Sequence, residues 1–269
     1  MDNRRIPGPG GSIPVRIYTP RDIPARPLPA LVYYHGGGFV LGGLESYDAV
    51  CRALCNASGC LTIAVDYRLA PEHRFPAAVD DAEAALAWVA AHAEELAIDA
   101  HRIAVAGDSA GGTLAATLAQ RPKRGDAEIA FQLLIYPMTA MASRSRAARW
   151  PVVGKLVDLA TIDIVRRTYV PGGTDLGDSR LAPGDAVGLR DLPPAYIVTA
   201  GIDPLTESTV RYVARLRAAG NAVTHVHHPR MPHGFFNAFG VLKEAGTAIA
   251  AAGRAVAAGL GGTARSGSA

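Results

Sequence analysis

Several large functional classes are excluded by what this sequence has little of. Cysteine is scarce: Cys51, Cys55 and Cys60 are the only three, an odd number crowded into one short stretch. That pattern does not support a disulfide-stapled secreted scaffold. Cys51 and Cys55 share a helical face at a spacing a metal uses, but no His or Cys pair elsewhere matches it. Free buried thiols in a cytoplasmic protein, with no metal site, are the reading that follows. Charge is thin too, with 19% Asp, Glu, Lys and Arg and a net charge of +3. Without a Lys/Arg-rich run, nothing points to a nucleic-acid partner. No apolar run is long enough to span a bilayer; the longest, 245–260, is Ala/Gly-rich and broken by Arg254, so no stable membrane insertion is expected. Residues 1–7 are polar and carry no apolar segment of the kind a secretory signal needs.

What the chain does have is apolar residues, at 49%, and 29 glycines over 269 positions. That is enough to bury a substantial core, and the length suits one α/β domain. The chain is organised around the turn Gly107-Asp108-Ser109-Ala110-Gly111. An apolar β-type run, 102–106, leads into it, and a small-residue helical stretch, 112–120, leads out. Strand, sharp turn and helix are the context of a nucleophile elbow. There the chain doubles back so closely that a Cβ at either flanking position would strike its neighbour, hence the glycines. The serine stands at the apex, beside a helix N-terminus that favours developing negative charge.

Taken in order, residues 1–12 read as a loosely held Gly/Pro-rich lead-in, 13–18 as a strand and 21–29 as a loop. A short apolar strand, 31–34, then runs into His35-Gly36-Gly37-Gly38-Phe39. Consecutive glycines after a strand let the backbone pass close to a reacting carbonyl and aim N–H groups at its oxygen, which makes this a candidate oxyanion loop. His35 reads as an orienting residue for that loop. Residues 46–59 look helical, 61–66 form a buried parallel strand, and 67–76 form a polar loop in which Arg68 and Glu72 are placed to pair. An amphipathic helix spans 77–93. After the elbow come a strand at 129–136 and an irregular stretch, 138–190, read as a cap or lid insertion. A strand at 195–200, a helix at 207–219, a strand at 224–228 and a final helix at 237–258 follow, then a flexible tail over 259–269. The 224–228 strand lies at a sheet edge, where a second copy could pair in a homodimer. The alternation implies a mainly parallel sheet with helices on both faces.

In such sheets reactive groups collect at the carboxyl ends of strands. Four segments here meet that rule: the glycine loop, the elbow at Ser109, Asp203 after 200, and His233 after 228. Ser, Asp, His is the chain order of an α/β-hydrolase triad. Ser109 is the candidate nucleophile. His233 is the candidate base, because imidazole is the side chain whose charge changes nearest neutral pH. Asp203 would orient the imidazole, and the N–H groups of Gly37, Gly38 and Ala110 would hold the oxyanion. His225, His227 and His228 lie within a strand and are less free to reach a serine. Asp108 sits beside the nucleophile and is expected to point away from it, into a supporting hydrogen bond. Asp175, Asp178 and Asp191 fall off any strand end.

His35-Gly36-Gly37-Gly38, Tyr67-Arg68-Leu69-Ala70-Pro71-Glu72-His73, Gly107 to Gly112, Asp203-Pro204-Leu205 and His233-Gly234-Phe235 together resemble the bacterial hormone-sensitive-lipase-like (group IV) carboxylesterases. The resemblance runs from about Ile6 to Gly259. It implies the α/β-hydrolase fold, a mostly parallel central sheet with helices on both faces, and a carboxylesterase acting on short- to medium-chain acyl esters, with no cofactor. It places the oxyanion donors at Gly37, Gly38 and Ala110, with Gly36 the less certain member. Three departures stand out. Members of that family begin with a helical segment that forms half of the cap, whereas this chain starts almost at the sheet, which implies a small or truncated cap and a more open cleft. Thr206-Glu207-Ser208 replaces the usual acidic pair, and Pro232 restricts the approach to His233. The same scaffold also serves tailoring hydrolases or deacetylases, lyases, and non-catalytic relatives that bind a small molecule.

Overall fold

The alternating pattern resolves, in a computed structural model that describes residues 1–22, 27–121, 128–141 and 159–261, into one eight-stranded sheet flanked by helices. The strands are β1 (Asp2–Gly8), β2 (Gly11–Tyr18), β3 (Leu28–Tyr34), β4 (Leu61–Val65), β5 (Ile98–Asp108), β6 (Ile129–Ile135), β7 (Ala195–Ile202) and β8 (Val223–Pro232). Their spatial order is β1-β2-β4-β3-β5-β6-β7-β8. The pairs β1–β2 and β2–β4 are antiparallel, and every pair from β4 to β8 is parallel.

β3 and β4 are buried along their whole length, as strands covered on both faces must be. Alternation sends Val32, Tyr34, Ile63 and Val105 to one face, where they pack with α2 (Ala77–Ala91), α4 (Ala110–Ala119) and α6 (Thr206–Ala218). Leu31, Tyr33, Ala64 and Ala106 go to the other, against α1 (Asp48–Ser58) and α7 (Lys243–Gly259). Cys51, Cys55 and Cys60 are free and buried on this second face. Burial pushes the Cys55 and Cys60 thiols up, to about 11 and about 12, so neither is a nucleophile at neutral pH.

Several expectations are corrected. The first twelve residues are no loose lead-in: β1 pairs with β2 from Asp2 to Gly8, and Ile6 and Ile13 are both buried opposite one another. The glycines that suggested looseness belong to the turn of this hairpin, where Gly11 takes φ +124°. Arg68 does not pair with Glu72. It turns instead to Asp81 of α2, which is fully buried and needs a charge-assisted partner (Arg68 Nη2 to Asp81 Oδ1, 2.8 Å). The helix read at 77–93 stops at Ala91 and is followed by a separate turn, α3 (Ala93–Leu96). The final helix is split into a 3₁₀ turn (Phe235–Ala238) and α7, because the chain is extended at Leu242 (ψ 113°). β5 and β8 are longer than read, since their ends carry polar residues that hide the pattern. Within 138–190 the described residues form α5 (Leu159–Tyr169) and turns; residues 142–158 lie outside the described set, as does most of the 259–269 tail.

Candidate active site

Strand β5 ends at Asp108 and α4 begins at Ala110, which leaves Ser109 alone to reverse the chain. It does so at φ 52°, ψ −117°, a conformation that costs a non-glycine residue about 1–3 kcal/mol. The surroundings impose it. Ser109 N–H donates to Ile135 O at 2.9 Å, and Met138 N–H donates to Ser109 O at 3.2 Å. A Cβ at Gly111 would lie 1.9 Å from Tyr34 O, and one at Gly107 would lie 2.3 Å from Gly111, so both flanking glycines are steric requirements.

Asp203 and His233 are brought together by strand register. Ile202 of β7 pairs with Pro232 of β8, so the next residue of each strand leaves the sheet at the same level. The result is a chain of hydrogen bonds: Asp203 Oδ2 to His233 Nδ1 at 2.9 Å, and His233 Nε2 to Ser109 Oγ at 2.9 Å. A carboxylate facing Nδ1 requires the proton there, which leaves Nε2 as the acceptor for the serine hydroxyl. Asp203 and His233 are buried, at 5% and 6% exposure, and the second Asp203 oxygen accepts the Leu205 N–H at 2.8 Å. The altered Thr206-Glu207-Ser208 segment therefore leaves Asp203 held by backbone; Thr206 and Ser208 hydroxyls instead donate to Ala200 O and Leu205 O. Pro232 sits at the end of β8, and the His233 N–H still reaches Ile202 O at 3.2 Å.

The glycine loop lies alongside. Gly37, Gly38 and Phe39 all take positive φ, at 110°, 65° and 62°. Val40 and Leu41 N–H groups close the turn onto Gly37 O, and among the described residues no hydrogen bond takes up the N–H of Gly37, Gly38 or Ala110. At His35, burial pushes the imidazole down to about 4, Nδ1–H donates to Gly36 O at 2.7 Å, and the ring stacks on Tyr67 at 4.3 Å. Above the loop, α5 presses Val165 against Gly38, where a Cβ would come within 2.7 Å of Val165 Cγ2. Arg74 ties the end of that helix by donating to the carbonyls of Arg167, Thr168 and Val170.

Asp108 points away from the nucleophile, accepting from Tyr33 Oη, Tyr47 Oη and Gly36 N. The other acids and histidines stay outside the site. His225 and His227 share the Thr199 hydroxyl, and His228 meets Glu244. Asp175 and Asp178 serve local turns, and Asp191 is exposed. Sequence reading missed Tyr33, Tyr47, Tyr136 and Tyr169. Their surroundings depend on which elements pack together, and a tyrosine's neighbours along the chain carry no signal of what its hydroxyl meets.

Residues 31–237 match the family described as alpha/beta hydrolase fold. The chain belongs to the hormone-sensitive-lipase-like branch of the α/β-hydrolases. Esterase LipI of Mycobacterium tuberculosis is 43% identical to this α/β-hydrolase over 244 residues, spanning 89% of this chain and 76% of LipI. Carboxylesterase NlhH of the same organism is 45% identical over 235 residues, 84% of this chain and 72% of NlhH. The crystal structure of an esterase from Pyrobaculum calidifontis superposes with a TM-score of 0.89 at 40% identity, covering 96% of this chain and 84% of that one.

Proposed function

We propose that this α/β-hydrolase is a serine carboxylesterase that cleaves short- to medium-chain acyl esters through an acyl-enzyme. The observation that carries the reading is the unbroken chain from Asp203 through His233 to Ser109, with both contacts at 2.9 Å. The names of the relatives, esterase and carboxylesterase, support it. Ser109 Oγ attacks the acyl carbon as His233 Nε2 takes its proton, and Asp203 stabilises the imidazolium. The carbonyl oxygen gains charge and is met by the N–H groups of Gly37, Gly38 and Ala110, the last aided by the N-terminus of α4. His233 then hands its proton to the alcohol, which leaves. Water, deprotonated by the same nitrogen, releases the acid and restores the serine.

In this reading 138–190 is a cap within one α/β-hydrolase domain, supported by the seating of Val165 and Tyr169 of α5 on the glycine loop. Free buried cysteines favour a reducing, cytoplasmic setting, and no described helix is long and apolar enough to cross a membrane. The exposed edge of β8 is the place where a second copy would pair, which sedimentation at micromolar concentration would detect.

The test is a series of p-nitrophenyl esters from acetate to palmitate, assayed with wild type and Ser109→Ala. Turnover of the short chains that vanishes in the variant supports the reading. A well-folded wild type inert on every ester refutes it. Neither a lyase nor a non-catalytic binder is favoured by any contact at the site.

A further inference from the structure

The residue before the candidate nucleophile and the residue before the candidate oxyanion donors are bonded to each other. Asp108 precedes Ser109, Gly36 precedes Gly37, and Asp108 Oδ1 accepts the Gly36 N–H at 2.8 Å. Tyr33 of β3 donates to the same oxygen at 2.8 Å, and Tyr47, just ahead of α1, donates to Oδ2 at 3.1 Å. One carboxylate thus draws three stretches of chain around the elbow.

The loop is built to let it in. A Cβ on residue 36 would lie 2.4 Å from Asp108 Oδ2 and 2.7 Å from the Tyr47 hydroxyl. The φ of Gly36 lies outside the left-handed region, so it is the close approach of this carboxylate, and not backbone conformation, that demands glycine there. Asp108 is 1% exposed, and among the described residues no Lys or Arg pairs with it. A buried carboxylate met only by neutral donors is a costly way to fill space that an apolar residue would fill better.

We infer that Asp108 is a positioning residue for the oxyanion loop: its carboxylate sets the distance between the Gly37 and Gly38 N–H groups and Ser109 Oγ. The inference rests on the esterase reading. Its consequence is specific. A loop that drifts by a fraction of an ångström still admits substrate but no longer meets the oxyanion at hydrogen-bond distance. Loss of Asp108 therefore lowers kcat and leaves KM nearly unchanged.

The groups facing Asp108 are the Tyr33, Tyr47 and Tyr136 rings, the Cys51 thiol of α1 and the His233 imidazole. An acid-side fall in rate that persists in a variant without the carboxylate does not belong to Asp108, so the pH profile shows whether this carboxylate contributes to it.

The experiment compares wild type and Asp108→Asn, which keeps the shape and removes the charge. Four quantities are measured: kcat and KM on p-nitrophenyl butyrate between pH 5 and 9, affinity for a trifluoromethyl ketone, and hydrogen exchange of the 33–43 amides without substrate. The ketone adds to Ser109 and leaves an oxyanion, so its affinity reads the donors directly. We expect kcat to fall about 10- to 100-fold, KM to stay within about threefold, ketone affinity to fall by the same factor as kcat, and exchange to rise. A variant with kcat within twofold of wild type, or one that loses kcat with ketone affinity and exchange unchanged, overturns the inference. Should Asp108→Asn fail to fold, Tyr47→Phe removes one donor, with the same signature expected at about 3- to 10-fold; wild-type values throughout would likewise overturn it. A wild type without esterase activity sinks the esterase reading first, and the exchange comparison still decides whether Asp108 holds the loop.

Discussion

Tyr169, the last residue of α5, lies flat on Phe39 of the glycine loop, with ring centroids 4.0 Å apart and planes 11° from parallel. Phe75 closes the group edge-on at 5.9 Å. Phe39 holds φ +62°, a position a bulky residue takes only when packing insists, and Tyr169 is what packs on it. Removing the ring leaves the loop without its upper support. Tyr169→Ala should destabilise the protein by about 3–5 kcal/mol and lower kcat on a short ester. Tyr169→Phe differs, because the hydroxyl is buried and finds no partner among the described residues. It should hold or raise stability, by about 1 kcal/mol, as read by urea denaturation. A Phe variant clearly less stable than wild type would show that the hydroxyl is paired.

The strain at Ser109 separates stability from activity. A glycine takes φ 52°, ψ −117° without steric penalty. Ser109→Gly is therefore expected to abolish turnover while equalling or exceeding the wild-type Tm, whereas Ser109→Ala abolishes turnover with the strain retained. Calorimetry on the three proteins decides it. A glycine variant that melts several degrees below the alanine variant would mean that the turn is not strained.

Arg68 and Asp81 form a pair in which the arginine is one quarter exposed and the aspartate fully buried. Cutting the pair from the arginine side strands a buried charge. Arg68→Met should cost about 3–5 kcal/mol in chemical denaturation. Gly10 of the β1–β2 turn rests against the same guanidinium, where a Cβ would lie 1.9 Å from Nη1, so the loss should also loosen the hairpin. A cost below about 1 kcal/mol would show that Asp81 finds another partner.

Two buried groups near the loop oppose each other in acid. Burial pushes the Asp108 carboxyl up to about 6, above the unfolded value of about 3.9. Above pH 6 it is ionised in both states and the fold bears the cost of the buried charge, about 3 kcal/mol; below pH 4 that cost is gone. As pH falls from 6 to 4, Asp108 therefore adds stability. His35 has the opposite sign. Its folded value, about 4, lies below the unfolded value of about 6.5, so the unfolded chain takes up its proton first and stability is lost between pH 6.5 and 4. Asp108→Asn, with the compensating group removed, should lose stability steeply as pH falls from 6 to 4. Parallel stability curves for the two proteins would falsify the assignment.

The elbow, the glycine loop, Asp203 and His233 are all legible in the sequence. Short-range steric and chemical demands mark them: glycine where a Cβ cannot fit, and reactive side chains just past apolar runs. Buried parallel strands such as 31–34 and 61–66 announce themselves by unbroken apolar composition. Element ends are less legible, because β5 and β8 run on past their apolar cores through register shifts between Leu28 and Ala30 and between Ala200 and Ile202. The hairpin at the start is hidden by its own turn glycines.

Local pattern along the chain is enough for the fold class, the succession of strands and helices, and the identity of the candidate triad. Three pairings needed the folded chain: Ile202 with Pro232, which brings Asp203 to His233; Arg68 with Asp81 in place of Glu72; and Asp108 with Gly36. Each joins residues at least thirteen positions apart or on different strands. Contacts of that range are set by register, strand order and burial, and none of these is written in the spacing of neighbouring residues.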